Sequence, residues 1–315
     1  MANILITSEY FCKFSSEARK MLIDAGHKVI DNPYGHSFLN PEQIIRHSGS
    51  ANAFICDLEQ INRSVIDASP ELRIISRRGV GVDSVDVDYA KSKGITVART
   101  TGVVEAPVAE LVMGYILEFS RNISKLSSDM HHGIWEKTEC HSIDKKTLGF
   151  IGMGKIAFEV ARRARAFGMN IVYCDLVGNA RCEQEFGAKK TSFDEVLRVS
   201  DFVTIHTPLT DETKGLFSYK TICKMKGDAV LINTARGAII EEESLYRAIF
   251  ENRIRGAALD VFTVEPKTDS ILNTLPNVLL TPHTGTFTRE IFIEMDILAA
   301  QNIINYFTDP EGGRS

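Results

Sequence analysis

The 315-residue sequence predicts an α/β protein built from two doubly wound parallel-sheet domains. Three observations lead there. Short apolar runs of strand length alternate with helical patterns along nearly the whole chain, which is the signature of parallel strands joined by crossover helices. A glycine turn, Gly152-Met153-Gly154, stands between a strand and a helix near the middle of the chain. The length suits two domains of ordinary size better than one compact core.

The first block reads in order. Ile4-Leu5-Ile6 is a strand, Ser16–Ala25 a helix ending at Gly26, and Lys28-Val29-Ile30 a second strand. Asn40 is placed to cap a helix whose first residue is Pro41. Ala53–Cys56 is the next strand, Ser64–Ala68 a short helix, and Leu72–Ser76 a strand running into Arg77-Arg78-Gly79-Val80-Gly81. Ile95-Thr96-Val97 is one more strand. This block has no nucleotide fingerprint of its own. After it, an apolar-periodic stretch from Ala106 is expected to form one long helix as far as about Met130.

The central unit, Leu148–Asp175, reads strand, glycine turn, helix, strand. Gly152 permits the tight turn, Gly154 lets a pyrophosphate approach the backbone at a helix N-terminus, and Ala157 lets helix and strand pack closely. Asp175, 23 residues beyond Gly152, ends the second strand, where an acid accepts hydrogen bonds from the adenosine ribose and repels a 2′-phosphate. NAD is therefore expected over NADP. A glycine pattern alone also serves as plain punctuation, and a flavodoxin-like unit that binds nothing is the alternative. Further strands follow at Phe202–Ile205, Ala229–Ile232, Gly256–Leu259 and Val278–Leu280, so residues 100–284 are expected to form a Rossmann domain for the cofactor. Arg289–Phe307 reads as a final helix that returns to the first block.

Composition narrows the partners. Apolar residues make up 44% and charged residues 24%, with a formal charge of −5 and a pI near 5.9. That balance gives no footprint for nucleic acid or an anionic membrane. The N-terminal residues lack a signal pattern and no apolar run is long enough to span a bilayer, so a cytoplasmic protein is expected. The six cysteines, Cys12, Cys56, Cys140, Cys174, Cys182 and Cys223, form no C-x-x-C pair and are expected to be free thiols. No metal is expected: His131-His132 are adjacent and do not face one another on a helix.

The loops after the central strands carry the chemistry, because ligands of open α/β sheets sit at the carboxyl ends of the strands. They present His206-Thr207-Pro208, then Asn233-Thr234-Ala235-Arg236-Gly237, then Asp260–Pro266 with Glu265, then Thr281-Pro282-His283-Thr284-Gly285. Hydride transfer between a nicotinamide and a 2-hydroxy or 2-oxo acid needs a proton donor or acceptor at the substrate oxygen and a fixed cation for the carboxylate. Histidine titrates in the useful range, a carboxylate on its other ring nitrogen fixes the tautomer, and arginine offers a planar fork. His283 is assigned as acid/base, Glu265 as its partner and Arg236 as the clamp. Each alone is as easily structural; together on one fingerprinted sheet they point to catalysis. His206 is read as a wall of the adenosine pocket.

These motifs, with Arg78–Asp83 and Val108-Ala109-Glu110, resemble those of the D-isomer-specific 2-hydroxyacid dehydrogenase family over nearly the whole chain, closest to its short D-3-phosphoglycerate dehydrogenase-like members. The resemblance implies a flavodoxin-like substrate domain of residues 1–99 plus 285–315, into which the NAD domain of residues 100–284 is inserted. It also implies a site between the two and a homodimer built on the cofactor domains. Arg236, Glu265 and His283 become the catalytic residues. Gly152, Gly154, Lys155, Ile156, Asp175, His206, Thr207, Pro208, Thr234, Ala235, Arg236, Asp260, His283 and Gly285 become the cofactor contacts, with Ala235 and Asp260 on the nicotinamide carboxamide. Arg77, Gly79, Val80, Gly81, Arg236 and His283 become the substrate contacts, the glycine loop accepting the carboxylate as an anion nest.

The implied activity is hydride exchange between NAD(H) and a D-2-hydroxy acid. A non-enzymatic NAD-sensing scaffold of corepressor type is the other reading the family offers. The chain departs from phosphoglycerate dehydrogenases at Cys56–Gln60, where those enzymes commonly carry a second arginine. Asp57 and Glu59 are expected there to repel a phosphate; Arg77 offers it a cation, and a cation from the partner subunit or another loop is the alternative source of compensation. A C-terminal serine-sensing domain is also expected to be lacking, and with it that form of allosteric control.

Overall fold

A computed structural model describes residues 1–35 and 37–308. The described chain divides into two compact units, Met1–Val104 with Phe287 onward, and Glu105–Thr286.

The first unit opens with β1 (Asn3–Ile6), α1 (Glu17–Asp24), β2 (Lys28–Ile30), α2 (Pro41–Ser48), β3 (Ala53–Cys56), α3 (Arg63–Asp67), β4 (Ile74–Arg77), α4 (Val87–Ser92) and β5 (Thr96–Arg99). Its five strands are all parallel, in the order β2-β1-β3-β4-β5, the flavodoxin-like arrangement. Local chemistry explains the boundaries. Asn40 accepts from the Gln43 N–H at 3.0 Å while the Gln43 side chain accepts from the Asn40 N–H at 3.0 Å, a capping box with Pro41 behind it. Strand alternation sends Leu5, Phe54 and Ile75 into one core and Ile4, Ile6, Ile55 and Ile74 into the other, so both faces of the sheet are buried.

The second unit contains α5 (Glu105–Arg121), α6 (Ile123–His131), β6 (Thr147–Ile151), α7 (Lys155–Ala166), β7 (Asn170–Cys174), α8 (Ala180–Phe186), β8 (Lys189–Lys190), α9 (Phe193–Val199), β9 (Phe202–Ile205), α10 (Tyr219–Ile222), β10 (Val230–Asn233), α11 (Glu242–Phe250), β11 (Gly256–Leu259) and β12 (Val278–Leu280). Its parallel sheet runs β12-β11-β10-β9-β6-β7-β8, a Rossmann order extended by one strand, with the reversal of strand order at β6. Ala157, Val160, Ala161 and Ala164 form the buried face of α7, and these small side chains let it approach both the sheet and α5. Each fully buried Leu, Ile or Phe of these cores contributes about 1.5–3 kcal/mol.

The chain then returns to the first unit as α12 (Arg289–Thr308), where Ala299, Ala300 and Ile303 join the core against β1, β3 and β4.

Two expectations need correction. The single helix to Met130 is broken at Asn122, which adopts a left-handed conformation (φ 50°). Glu118 then accepts from the Ser124 N–H at 3.1 Å and Asn122 donates to the Glu139 carbonyl at 3.1 Å, so the new helix start is capped locally. The apolar period continues through this break, which hides it in the pattern. The two-residue strand β8 is also absent from the sequence reading; Lys189-Lys190 is too short and too polar to read as a strand, and it is defined by pairing with β7.

Candidate active site

The glycine turn of the second unit is shaped as the fingerprint requires. Gly152 has φ 92°, and a Cβ there would lie 2.8 Å from the His206 carbonyl carbon and 2.9 Å from the Thr207 nitrogen, so any side chain would push the loop after β9 away. Gly154 is different: nothing lies within 4 Å of the position its Cβ would take. It caps α7 without a side-chain hydrogen bond, leaving the first N–H groups of the helix, those of Lys155 and Ile156 among them, for a ligand. Asp175 accepts from the Met153 N–H at 2.6 Å and from the Val177 N–H at 3.2 Å. The carboxylate thereby closes the turn and still has lone pairs for ribose hydroxyls. The Thr234 hydroxyl oxygen is buried with no hydrogen-bond partner among the described residues. An open cradle, an uncapped helix start and an orphaned hydroxyl on the neighbouring loop fit a dinucleotide.

His206, half-buried, stacks on Phe150 (centroids 5.9 Å apart) and meets the Thr204 hydroxyl through Nε2 at 2.9 Å. Burial pulls its pKa down to about 3, so the ring is neutral. It is a fixed wall with no proton to trade near neutral pH. Thr207 and Pro208 follow it in the same loop.

The trio is brought together at the carboxyl ends of β10, β11 and β12. His283 Nδ1 and Glu265 Oε2 lie 2.6 Å apart, and the other Glu265 oxygen accepts from the Phe262 N–H at 2.8 Å. Burial works against the Glu265 charge, but the bond and charge of His283, the Phe262 N–H and the Arg236 guanidinium outweigh it and hold its carboxyl below the usual range. The glutamate is thus an anion at neutral pH, and with Nδ1 engaged the imidazole presents Nε2 outward. Nε2 has no hydrogen bond among the described residues. His283 itself sits at φ 52°, a left-handed conformation. That conformation is held by Asp260, which is 1% exposed: its backbone carbonyl accepts from the His283 N–H at 2.9 Å, and its carboxylate from the Thr281 hydroxyl, the Thr284 N–H and the Gly285 N–H at 2.5, 2.8 and 2.8 Å.

The sequence reading puts Asp260 on the nicotinamide carboxamide. Its carboxylate also bonds the 281–285 loop, which makes it the brace of the histidine. Arg236 is held by Asn233, whose amide donates to the Arg236 carbonyl at 2.9 Å and whose oxygen accepts from the Ala235 N–H at 3.0 Å. The Arg236 guanidinium also donates to the Ala235 carbonyl at 2.6 Å. Asn233 is a functional position that sequence reasoning missed; the signal available was a buried Asn ending an apolar strand. Gly237 sets the approach of the two loops: a Cβ there would collide with the Phe262 backbone.

In the first unit the expected substrate contacts are redistributed. Gly79 donates its N–H to the Thr100 hydroxyl at 2.6 Å, so it does not serve an anion. The N–H groups of Val80 and Gly81 have no hydrogen bond among the described residues. Arg77 is 8% exposed and its guanidinium lies beneath the loop, in the space a Gly79 Cβ would need. Arg77, the last residue of β4, is therefore no exposed cation.

The expected repulsion from Asp57 and Glu59 is also corrected. Asp57 is paired with Arg78 at 2.6 Å. Glu59 is fully buried, and desolvation with the neighbouring Asp57 charge pushes it up to about 8, so it is largely neutral. Position in sequence shows the carboxylates but not what neutralises them. His131 and His132 are exposed, and among the described residues no three His, Cys, Asp or Glu side chains are grouped to hold a metal.

Comparison with known proteins agrees with this geometry. The family described as D-isomer specific 2-hydroxyacid dehydrogenase, NAD binding domain, matches residues 113–285. A hydroxypyruvate reductase of Thermotoga maritima is 41% identical over 73% of this chain and 76% of its own length. A D-3-phosphoglycerate dehydrogenase of Methanocaldococcus jannaschii is 39% identical over 96% of this chain, which spans 57% of that relative's length. A crystal structure of a protein from Thermus thermophilus superposes with a TM-score of 0.87 at 31% identity, covering 97% of each chain. With its two parallel-sheet units, its glycine turn closed by an acid and its family match over more than half its length, the chain belongs to the D-isomer specific 2-hydroxyacid dehydrogenases and binds NAD through the second unit.

Proposed function

We propose that the protein interconverts a short D-2-hydroxy acid and its 2-oxo acid with NAD(H). The observation that carries this reading is the 2.6 Å contact between His283 Nδ1 and Glu265 Oε2, on loops beside Arg236. When bound, the nicotinamide supplies or receives the hydride at the substrate C2. Arg236 takes the substrate carboxylate in its planar fork; within the first unit, the Val80 and Gly81 N–H groups are the donors suited to a carboxylate. His283 Nε2 gives a proton to the 2-oxo oxygen in reduction and removes it in oxidation. Glu265, held as an anion, keeps the imidazole in one tautomer. The relatives' names, hydroxypyruvate reductase and D-3-phosphoglycerate dehydrogenase, set the substrate panel.

The test is His283→Ala assayed for NADH oxidation with hydroxypyruvate, glyoxylate, pyruvate and phosphohydroxypyruvate. Turnover should fall about 10²- to 10⁴-fold, the ordinary contribution of general acid/base catalysis, with NADH affinity nearly unchanged. An equally active variant would remove the assignment. A wild-type protein inert to the whole panel, yet binding NADH and a specific protein partner, would favour the scaffold reading.

Two further elements of the reading are a homodimer and a cytoplasmic setting. The dimer is supported by the apolar side chains that α6 and the segment after it leave in solvent: Ile123, Met130, Ile134 and Trp135, the last 81% exposed. The setting is supported by six free cysteines. No helix among the described residues is long and apolar enough to cross a membrane.

A further inference from the structure

Arg78 directly precedes the glycine loop and is the largest fully buried side chain of the described residues. Its Nε donates to Asp296 Oδ1 on α12 at 2.6 Å, and its Nη1 to Asp57 at the end of β3 at 2.6 and 2.8 Å and to the Ser8 hydroxyl after β1 at 3.1 Å. The guanidinium lies over the Phe292 ring, 5.0 Å from its centroid. Ser8 and Asp57 are themselves hydrogen-bonded, and Asp296 also accepts from the Cys12 N–H at 2.9 Å. One cation thus ties together β1, β3, β4 and α12 at the carboxyl edge of the sheet, one residue before the loop. Next to it, Gly79 (φ 130°) lies against the Arg77 guanidinium and is bonded to Thr100. The loop is pinned on both sides, and the Val80 and Gly81 N–H groups are left without a hydrogen bond among the described residues.

A buried ion cluster is a weak source of stability, since replacing it with apolar groups is often neutral or favourable. What it supplies is direction: five donors in a planar fork fix the backbone from which they project. Arg78 is too deeply buried to touch substrate. We propose that Arg78, Asp57 and Asp296 are positioning residues that aim the Val80 and Gly81 N–H groups at the substrate carboxylate. This rests on the oxidoreductase reading above.

The test compares wild type, Arg78→Lys, Asp296→Asn and the triple variant Arg78→Met/Asp57→Leu/Asp296→Leu. For each, kcat and KM for hydroxypyruvate at saturating NADH, Ki for the carboxylate mimic oxamate, Kd for NADH and the thermal midpoint are measured. In Arg78→Lys and Asp296→Asn, KM and the oxamate Ki should rise together about 10-fold or more, as expected for losing one charge-assisted hydrogen bond, with the NADH Kd within about 2-fold of wild type. The triple variant should recover most of the thermal midpoint while KM and Ki stay high. Variants that lose only thermal midpoint and active fraction, with KM and Ki unchanged, would overturn the proposal, as would a triple variant that recovers KM along with stability. Those outcomes leave the parent reading standing; a wild type inert to every 2-oxo acid overturns both.

Discussion

Glu59 shows how much a single residue's environment can reverse its expected role. The carboxyl is completely buried; one oxygen accepts from the Asp57 N–H at 2.6 Å and the other has no partner among the described residues. Desolvation first, and the Asp57 charge second, raise it to about 8, whereas in the unfolded chain it titrates near the ordinary value of about 4.3. Between those values the folded protein holds a proton that the unfolded chain has released. Stability from this group is therefore full below about pH 4.3 and is lost as pH rises toward 8, at up to about 1.4 kcal/mol per pH unit. Glu59→Gln keeps the shape and removes the slope. Its urea midpoint should gain on wild type between pH 5 and pH 8; a constant difference would show that Glu59 is charged in the fold.

The placing of Arg236, Glu265 and His283 on successive loops was legible because strand ends are marked by apolar runs. The state of Asp57 and Glu59 was not, because the groups that decide it come from elsewhere: Asp57 is neutralised by Arg78, whose other partner, Asp296, is 218 residues away.

At the scale of elements, the loops after β10 and β11 act as one piece. Asn233 folds the first loop back on itself, and Gly237 lets its backbone rest against Phe262, whose N–H in turn holds Glu265. A methyl group at 237 cannot be absorbed by a flexible side chain, since the atoms it meets are backbone. Gly237→Ala should therefore move Glu265 away from His283. A loss of kcat of at least about 10-fold is expected, since small misplacements of catalytic groups are costly. Far-ultraviolet circular dichroism and NADH binding should remain, because the glycine turn at β6 and α7 is untouched. Full activity in this variant would mean that the loops adjust independently.

Strands and their order were legible at this scale from alternation of apolar runs with helical patterns. The helix break at Asn122 was not, because a left-handed residue supported by Glu118 and Glu139 costs nothing in hydrophobic pattern.

For the whole molecule, the exposed residues of α6 and the following segment bear on assembly. Ile123 and Met130 are 56% and 54% exposed, beside Trp135. Sedimentation equilibrium should give twice the 35.0 kDa chain mass, and Ile123→Glu with Trp135→Asp should shift it to the single-chain value. A wild-type monomer at micromolar concentration would refute the dimer.

The return of the chain to its first unit as α12 also governs the order in which a newly made polypeptide can become structured. Residues 105–286 are contiguous and hold their own core, so they have everything they need as soon as they leave the ribosome. The first unit does not. One face of its sheet, partly covered by Ala18 and Leu22 of α1, stays incomplete until Ala299, Ala300 and Ile303 emerge, and until then Arg78 lacks the aspartate on its Nε. The segment synthesised first is thus completed last, and for the time it takes to translate about 200 residues its apolar face is a surface for chaperones to cover.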